Sequence, residues 1–140
     1  MYHHALDYRV AYADTDKMGF VYYGNYLMLF ERTRTELLRA HGLAYAELEA
    51  KGTAMPVIEA HLNFHSPARY DDVISCYGEF TSFKGLRVTV SCRIMLGNTL
   101  LVDGYTILTF MDMATNKPRR IDGELRALME KLAENTATPT

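Results

Sequence analysis

Residues 12–34 read YADTDKMGFVYYGNYLMLFERTR and set two carboxylates, Asp14 and Asp16, just ahead of Gly19 and a cluster of aromatics. Acids so spaced are compatible with three chemistries. In a calcium loop Asp14, Asp16 and Gly19 would fall at positions 1, 3 and 6, but positions 5 and 12 would then be Met18 and Asn25, and neither supplies the required carboxylate. A phosphotransfer acid pair at a strand end belongs to chains of alternating strand and helix units, and that alternation is missing here. What remains is an acid in a loop that feeds a helix N-terminus. The free N–H groups there, with the positive end of the helix dipole, stabilise an oxygen that gains negative charge. A carboxylate beside them can attack a carbonyl or activate water, and the two parts together suffice to hydrolyse an activated acyl ester. An Asp in this setting can equally do no more than shape a turn, and spacing alone does not separate the roles.

The other reactive side chains fall into no such pattern. His3, His4, His41, His61 and His65 show no paired metal-ligand spacing. His61 and His65 share a strand face, but four strand residues span ~13 Å, too far to clamp one ion; they read as surface or internally satisfied histidines, and no metal is expected. There is no nucleophile-elbow serine, phosphate loop or dinucleotide fingerprint. Cys76 and Cys92 lack C-x-x-C spacing and read as two buried thiols in a reducing compartment. A net charge of −2 and a pI near 6.2 leave no basic stripe for nucleic acid. No apolar run approaches the ~18 to 20 residues that span a bilayer, and MYHHALDYRV is not a basic flank followed by an apolar run. These features predict a soluble, cytoplasmic chain without stable membrane insertion.

The elements that must position the acids follow from periodicity. The 140 residues, 49% of them hydrophobic, are one domain's worth with enough apolar surface for a core. Leu6, Tyr8, Val10 and Tyr12 alternate with Asp7, Arg9 and Ala11, a half-buried strand running into ADTD. From about Tyr23 to His41 the period becomes helical through Tyr26, Phe30, Thr33, Leu37 and Ala40, with Gly42 as the stop. Its first turns, YLMLF, are apolar nearly all round, so other structure should wrap them. A short helical piece, AYAELEAK, ends at Gly52. Four strand-like runs follow: VIEAHLNFHS, VISCYGEFTSF, LRVTVSCRIML and TLLVDGYTILTFMDM. Gly97-Asn98 suits a two-residue hairpin turn. Between the second and third runs, a three-residue loop Phe83-Lys84-Gly85 would set apolar against apolar and place Cys76 directly opposite Cys92. A helix from about Asp122 to Ala133 and a polar end close the chain. The order predicts an α+β domain with a long helix against a curved antiparallel sheet.

The motif Y-x-x-T-D-x-x-G-x-V-Y-Y-x-N-Y, followed by FERTR and by F-x-S-P-A-R-Y-D-D, resembles the hotdog-fold acyl-CoA thioesterases of the 4-hydroxybenzoyl-CoA thioesterase branch, near the Tol-Pal-associated type. The resemblance spans about Tyr8 to Met111. It implies a long central helix wrapped by a curved five-stranded antiparallel sheet, and hydrolysis of a small aromatic or short- to medium-chain acyl-CoA. Asp16 is then the catalytic carboxylate, Asp14 a supporting neighbour, and the Tyr23 backbone N–H the group that polarises the carbonyl. Gly19 would permit the loop's turn, Asn25 would open the helix, and Phe20, Tyr22, Tyr23 and Phe64 would line the acyl pocket. Glu31 matches a helix acid that contacts a ring hydroxyl in the 4-hydroxybenzoyl enzymes, although an ion pair with a helix Arg is the competing reading. Lys84 and Arg87 are the expected ligands of the coenzyme phosphates, with Arg119 and Arg120 as alternatives; the denser basic cluster of the family is absent. No separate cofactor is implied, since CoA belongs to the substrate. The partner implied is a second copy of the chain, in a dimer joined sheet edge to sheet edge and commonly paired again into a tetramer. A non-catalytic acyl-binding or scaffolding protein on the same fold is the alternative.

Overall fold

A computed structural model describes residues 1–134, and the polar end of the chain beyond them lies outside the described residues. Strand β1 (His3–Arg9) leads through a 3-10 turn (Tyr12–Asp14) and a loop into helix α1 (Asn25–Ala40). Helix α2 (Tyr45–Ala50), the short β2 (Thr53–Ala54), then β3 (Val57–Phe64), β4 (Val73–Lys84), β5 (Arg87–Leu96) and β6 (Thr99–Leu108) follow. Two more short strands, β7 (Met111–Asp112) and β8 (Lys117–Pro118), precede helix α3 (Gly123–Glu134). The main sheet has the order β1-β4-β5-β6-β3, every pair antiparallel. A small sheet β2-β7-β8 stands beside it. This is the α+β hotdog arrangement, one long helix on one face of a five-stranded sheet. Among the described residues no helix is long and apolar enough to cross a membrane.

Helix α1 packs on β1, β4 and β5 through Tyr26, Leu29, Phe30, Thr33, Leu37 and Leu38, all buried. Opposite them Ile74, Cys76, Phe80, Val88, Val90, Cys92 and Ile94 alternate inward along β4 and β5. Burying each of the larger of these side chains contributes about 2 kcal/mol of transfer free energy. The helix can lie this close because it crosses β4 at Gly78, where an added Cβ would come within 2.8 Å of Thr33 and 3.0 Å of Leu37. It ends as its sequence predicts: Gly42 takes φ +88°, its N–H donates to Arg39 O, and the Leu43 N–H donates to Leu38 O, the two bonds of a Schellman cap.

Several expectations are corrected. Strand β1 stops at Arg9, and Tyr12, placed by its alternation on the core face, is 78% exposed. The cause is the Asp14 carboxylate, which accepts the Ala11 N–H and closes the 3-10 turn before the strand can continue. Ala40 is exposed, whereas Arg34 falls on the buried face of α1. Burial pulls the Arg34 guanidinium below its ordinary pKa, with Glu31 opposing the shift. The first turns of α1 are wrapped on one side only, since Leu27 and Met28 stay exposed.

The β4–β5 hairpin has a two-residue turn, Gly85-Leu86, flanked by the pair Lys84 and Arg87, and not a three-residue loop. Apolar still meets apolar because a bulge at Thr81 shifts the register between Phe80 and Ser82. Cys92 therefore faces Gly78, and Cys76 faces Ile94, so the thiols sit diagonally across the strands. Both are free and buried, with their pKa values pushed up by desolvation, to about 11 for Cys76 and about 12 for Cys92. The folded protein should therefore resist iodoacetamide at pH 8, and both thiols should react once it is denatured; rapid alkylation of either in the native state would contradict this packing. The β5–β6 turn is Gly97-Asn98 as expected, with Gly97 at φ +58°.

Candidate active site

The loop between β1 and α1 is built by its two acids, which do different work. Asp14 is consumed locally. Its Oδ2 accepts the Ala11 N–H at 2.7 Å and the Tyr8 hydroxyl at 2.7 Å, and its carbonyl accepts the Tyr22 N–H at 2.8 Å and the Asn25 side-chain amide at 2.9 Å. It thereby ties strand, loop and helix start together. The bond to Asp14 raises the Tyr8 hydroxyl pKa, since the carboxylate holds its proton.

Asp16 opens a tight turn in which the Gly19 N–H donates to its carbonyl at 3.0 Å and Gly19 takes φ +79°. The Asp16 Oδ1 accepts the Met18 N–H at 2.9 Å and the Phe20 N–H at 3.3 Å, so the carboxylate is fixed through one oxygen. Among the described residues Oδ2 has no hydrogen-bond donor. Beyond the turn, Thr15 bridges to Val21, and Phe20 bridges to Arg69, whose guanidinium lies 4.8 Å from the Phe20 ring centre. These contacts set the Asp16 turn against the segment that follows β3.

Between them lies a cleft of about 280 Å³. Asp16, Phe20, Tyr23, Phe64 and His65 line it, with Tyr26 buried at its wall. Burial raises the Tyr26 hydroxyl pKa, partly offset by a hydrogen bond with the Ala68 backbone. Phe64 meets Tyr23 edge to face at 6.3 Å and Tyr26 at 6.0 Å, giving aromatic walls. Tyr23 stands two residues ahead of α1, and its backbone N–H has no acceptor among the described residues. Asp16, Tyr23 with its unpartnered backbone N–H, and the aromatic rings of Phe20, Tyr26 and Phe64 thus line a single cleft.

Of the residues singled out by sequence, Asp16, Phe20, Tyr23 and Phe64 come together there. Gly19 and Asn25 serve the loop from behind. Tyr22 is exposed and stacks at a tilt on Tyr23 without forming the cleft wall. Glu31 is exposed on α1, away from the cleft, and accepts the Thr35 hydroxyl at 3.3 Å; it makes no ion pair with a helix Arg among the described residues. Lys84 and Arg87 flank the β4–β5 turn and do not line this cleft. Arg119, in contrast, donates to Gly52 O at 3.3 Å in a separate groove that Arg120 also lines.

His65, which reads from the sequence as a surface or internally satisfied histidine, has a partner and also lines the cleft. Its ring Nε2 lies 3.0 Å from Asp103 Oδ1, and Asn63 donates to the same oxygen at 3.2 Å. The partner lies on β6, so the only sequence signal was an acid on an adjacent strand.

The family profile described as Thioesterase superfamily matches residues 18–102. The chain belongs to the thioesterase superfamily. It is 36% identical over 114 residues to an acyl-CoA thioester hydrolase YbgC of Escherichia coli O157:H7, covering 81% of this chain and 85% of the relative. It is 32% identical over 126 residues to the acyl-CoA thioesterase YbgC of Haemophilus influenzae, covering 89% and 92%. Among solved structures, a DHNA-CoA thioesterase from Staphylococcus aureus superposes with a TM-score of 0.89 at 28% identity, over 97% of this chain and 91% of that one. The superfamily assignment makes the chain a thioester hydrolase.

Proposed function

We propose that this thioesterase hydrolyses the thioester of a small aromatic or short- to medium-chain acyl-CoA, using Asp16 and the Tyr23 amide. The observation that carries the reading is that Asp16 and Tyr23, whose backbone N–H has no acceptor among the described residues, line the same cleft. The acyl group enters the aromatic chamber, its carbonyl oxygen rests on the Tyr23 N–H at the positive end of α1, and developing negative charge is stabilised there. Asp16, held by the Met18 and Phe20 amides through Oδ1, presents Oδ2 to the carbonyl carbon or to a water beside it. Lys84 and Arg87 are the candidates for the coenzyme phosphates. The names of the YbgC relatives support acyl-CoA as the substrate class.

The test is thiol release from acetyl-, octanoyl- and benzoyl-CoA, scored as kcat/KM. Turnover of at least one supports the reading; tight binding of all three without thiol release would favour an acyl-binding protein. A second expectation is a homo-oligomer. Strand β3 is a sheet edge that leaves Val57, Ile58 and Phe64 exposed, and α1 leaves Leu27 and Met28 exposed. Light scattering should report a dimer or a dimer of dimers. A strict monomer at micromolar concentration would contradict this expectation.

A further inference from the structure

We propose that His65, held by Asp103, is the base that activates water in the second half of the hydrolysis. The inference rests on the thioesterase reading above and concerns the step that Asp16 alone cannot perform. When Asp16 attacks the thioester, its Oδ2 forms a bond to the acyl carbon, the C–S bond breaks, and the electron pair leaves on sulfur as CoA thiolate. The acylated Asp16 is now an anhydride. It has lost its charge and cannot accept a proton, so the water that cleaves it needs another acceptor in the same cleft. The titratable side chains lining the cleft are Asp16, Tyr23, Tyr26 and His65. Only an imidazole exchanges a proton readily near neutral pH, a tyrosine hydroxyl ordinarily holding its proton to about pH 10.

The surroundings of His65 suit that task. An ionised carboxylate only accepts hydrogen bonds, so the contact between Nε2 and Asp103 Oδ1 at 3.0 Å places the ring proton on Nε2. Nδ1 is left as the basic nitrogen, and it has no partner among the described residues. The His65 bond holds Asp103 below the usual carboxylate range, with Asn63 and the facing Arg93 adding to the effect and modest desolvation opposing it. Asp103 thus stays charged and keeps the tautomer, the part an aspartate plays behind a catalytic histidine elsewhere. His65 is 43% exposed at the side chain, so it can exchange its proton with solvent. In the second step the water oxygen bonds to the acyl carbon as Nδ1 takes a proton from that water, and the bond to Asp16 breaks. The carboxylate is regenerated, and the proton on His65 passes to the thiolate or to solvent, leaving the acid and CoA-SH.

The experiment is a single turnover with the enzyme in excess over benzoyl-CoA or octanoyl-CoA, following thiol release, acid release and intact protein mass. His65→Gln should release thiol at nearly the wild-type rate while acid appears about 10²-fold more slowly or less, and the protein should gain the mass of the acyl group. Asp103→Asn, which keeps the volume of the site but no longer fixes the tautomer, should show the same separation of the two steps. His65→Gln releasing acid as fast as the wild type would overturn the proposal, as would equal slowing of both releases with no acylated protein. If His65→Gln lost its fold by circular dichroism, Asp103→Asn would decide between the same two outcomes. A wild type inert toward both substrates and the rest of the panel would remove the thioesterase reading and this proposal together; an active wild type with no separation of steps in the variants would remove this proposal alone.

Discussion

Replacing Asp16 with Asn should lower kcat/KM by about 10³-fold or more while leaving the melting temperature nearly unchanged, because the substitution removes a charge and keeps a shape. The Asn carbonyl can still accept the Met18 and Phe20 amides that now hold Oδ1, and the Gly19 N–H donates to a backbone carbonyl that the change does not touch. What disappears is an oxygen able to form a bond to the acyl carbon or to take a proton from water. Residual hydrolysis would come from the Tyr23 amide, from binding and from water that His65 activates directly. The expected signature is a fall in kcat with little change in KM, since the lost interaction belongs to the transition state and not to ground-state binding. An Asn variant within a few-fold of the wild-type rate would refute the assignment of Asp16. The mass of the protein in a single turnover distinguishes its two roles: protein carrying the acyl group requires attack by that side chain, whereas oxygen-18 from water enters the released acid in either role when water adds to the acyl carbon.

The two acids of the loop could not be told apart by spacing, and the structure shows why. Both shape the backbone, as a turn-forming Asp does. The difference is that the Asp14 carboxylate receives the Tyr8 hydroxyl and the Ala11 N–H and its carbonyl receives the Tyr22 N–H and the Asn25 amide, whereas the Asp16 carboxylate is held by its own turn alone. Which donors reach an acid depends on β1 and α1 meeting, a tertiary fact that local sequence does not record. The motif resemblance could still single out Asp16, because x-x-Gly after it marks the tight turn. Phe64 was reachable the same way. His65 was not: its meaning lies in Asp103, 38 residues later and on the neighbouring strand.

The fold was more legible than the site, and where it failed the cause was local. The long helix and its Gly42 stop follow from helical period and the glycine's positive φ, which no other residue adopts as readily. The alternation of Val88, Val90, Cys92 and Ile94 fixes which face of β5 is buried. Alternation does not fix register across a hairpin, because a bulge and a longer loop both restore apolar pairing. The chain uses the bulge at Thr81, and the predicted thiol pairing shifted by one inward position as a result. Arg34 inside the helix face escaped notice because a charge is expected outside, and nothing in sequence marks a guanidinium that packs against a core.

Gly104→Ala should be among the most damaging single substitutions outside the catalytic loop, lowering stability by about 3 kcal/mol or more. Gly104 faces Leu62 across the β3–β6 pair. A Cβ added there would fall 2.0 Å from the His61 carbonyl oxygen, 2.9 Å from His61 C and 3.0 Å from Leu62 Cα. All three obstacles are backbone atoms, so no rotamer change relieves the clash, and β3 as a whole must move away from β6. That strand carries Phe64 and leads directly into His65, while Asp103 is the residue before Gly104 on β6. The displacement should therefore reach the cleft, lowering activity of the folded fraction as well as the urea midpoint. For a chain of this size the loss corresponds to a drop of about 10 °C in melting temperature. A Gly104→Ala protein with unchanged midpoint and rate would mean that β3 and β6 do not approach as closely as the register places them, and the wall formed by Phe64 and His65 would have to be redrawn.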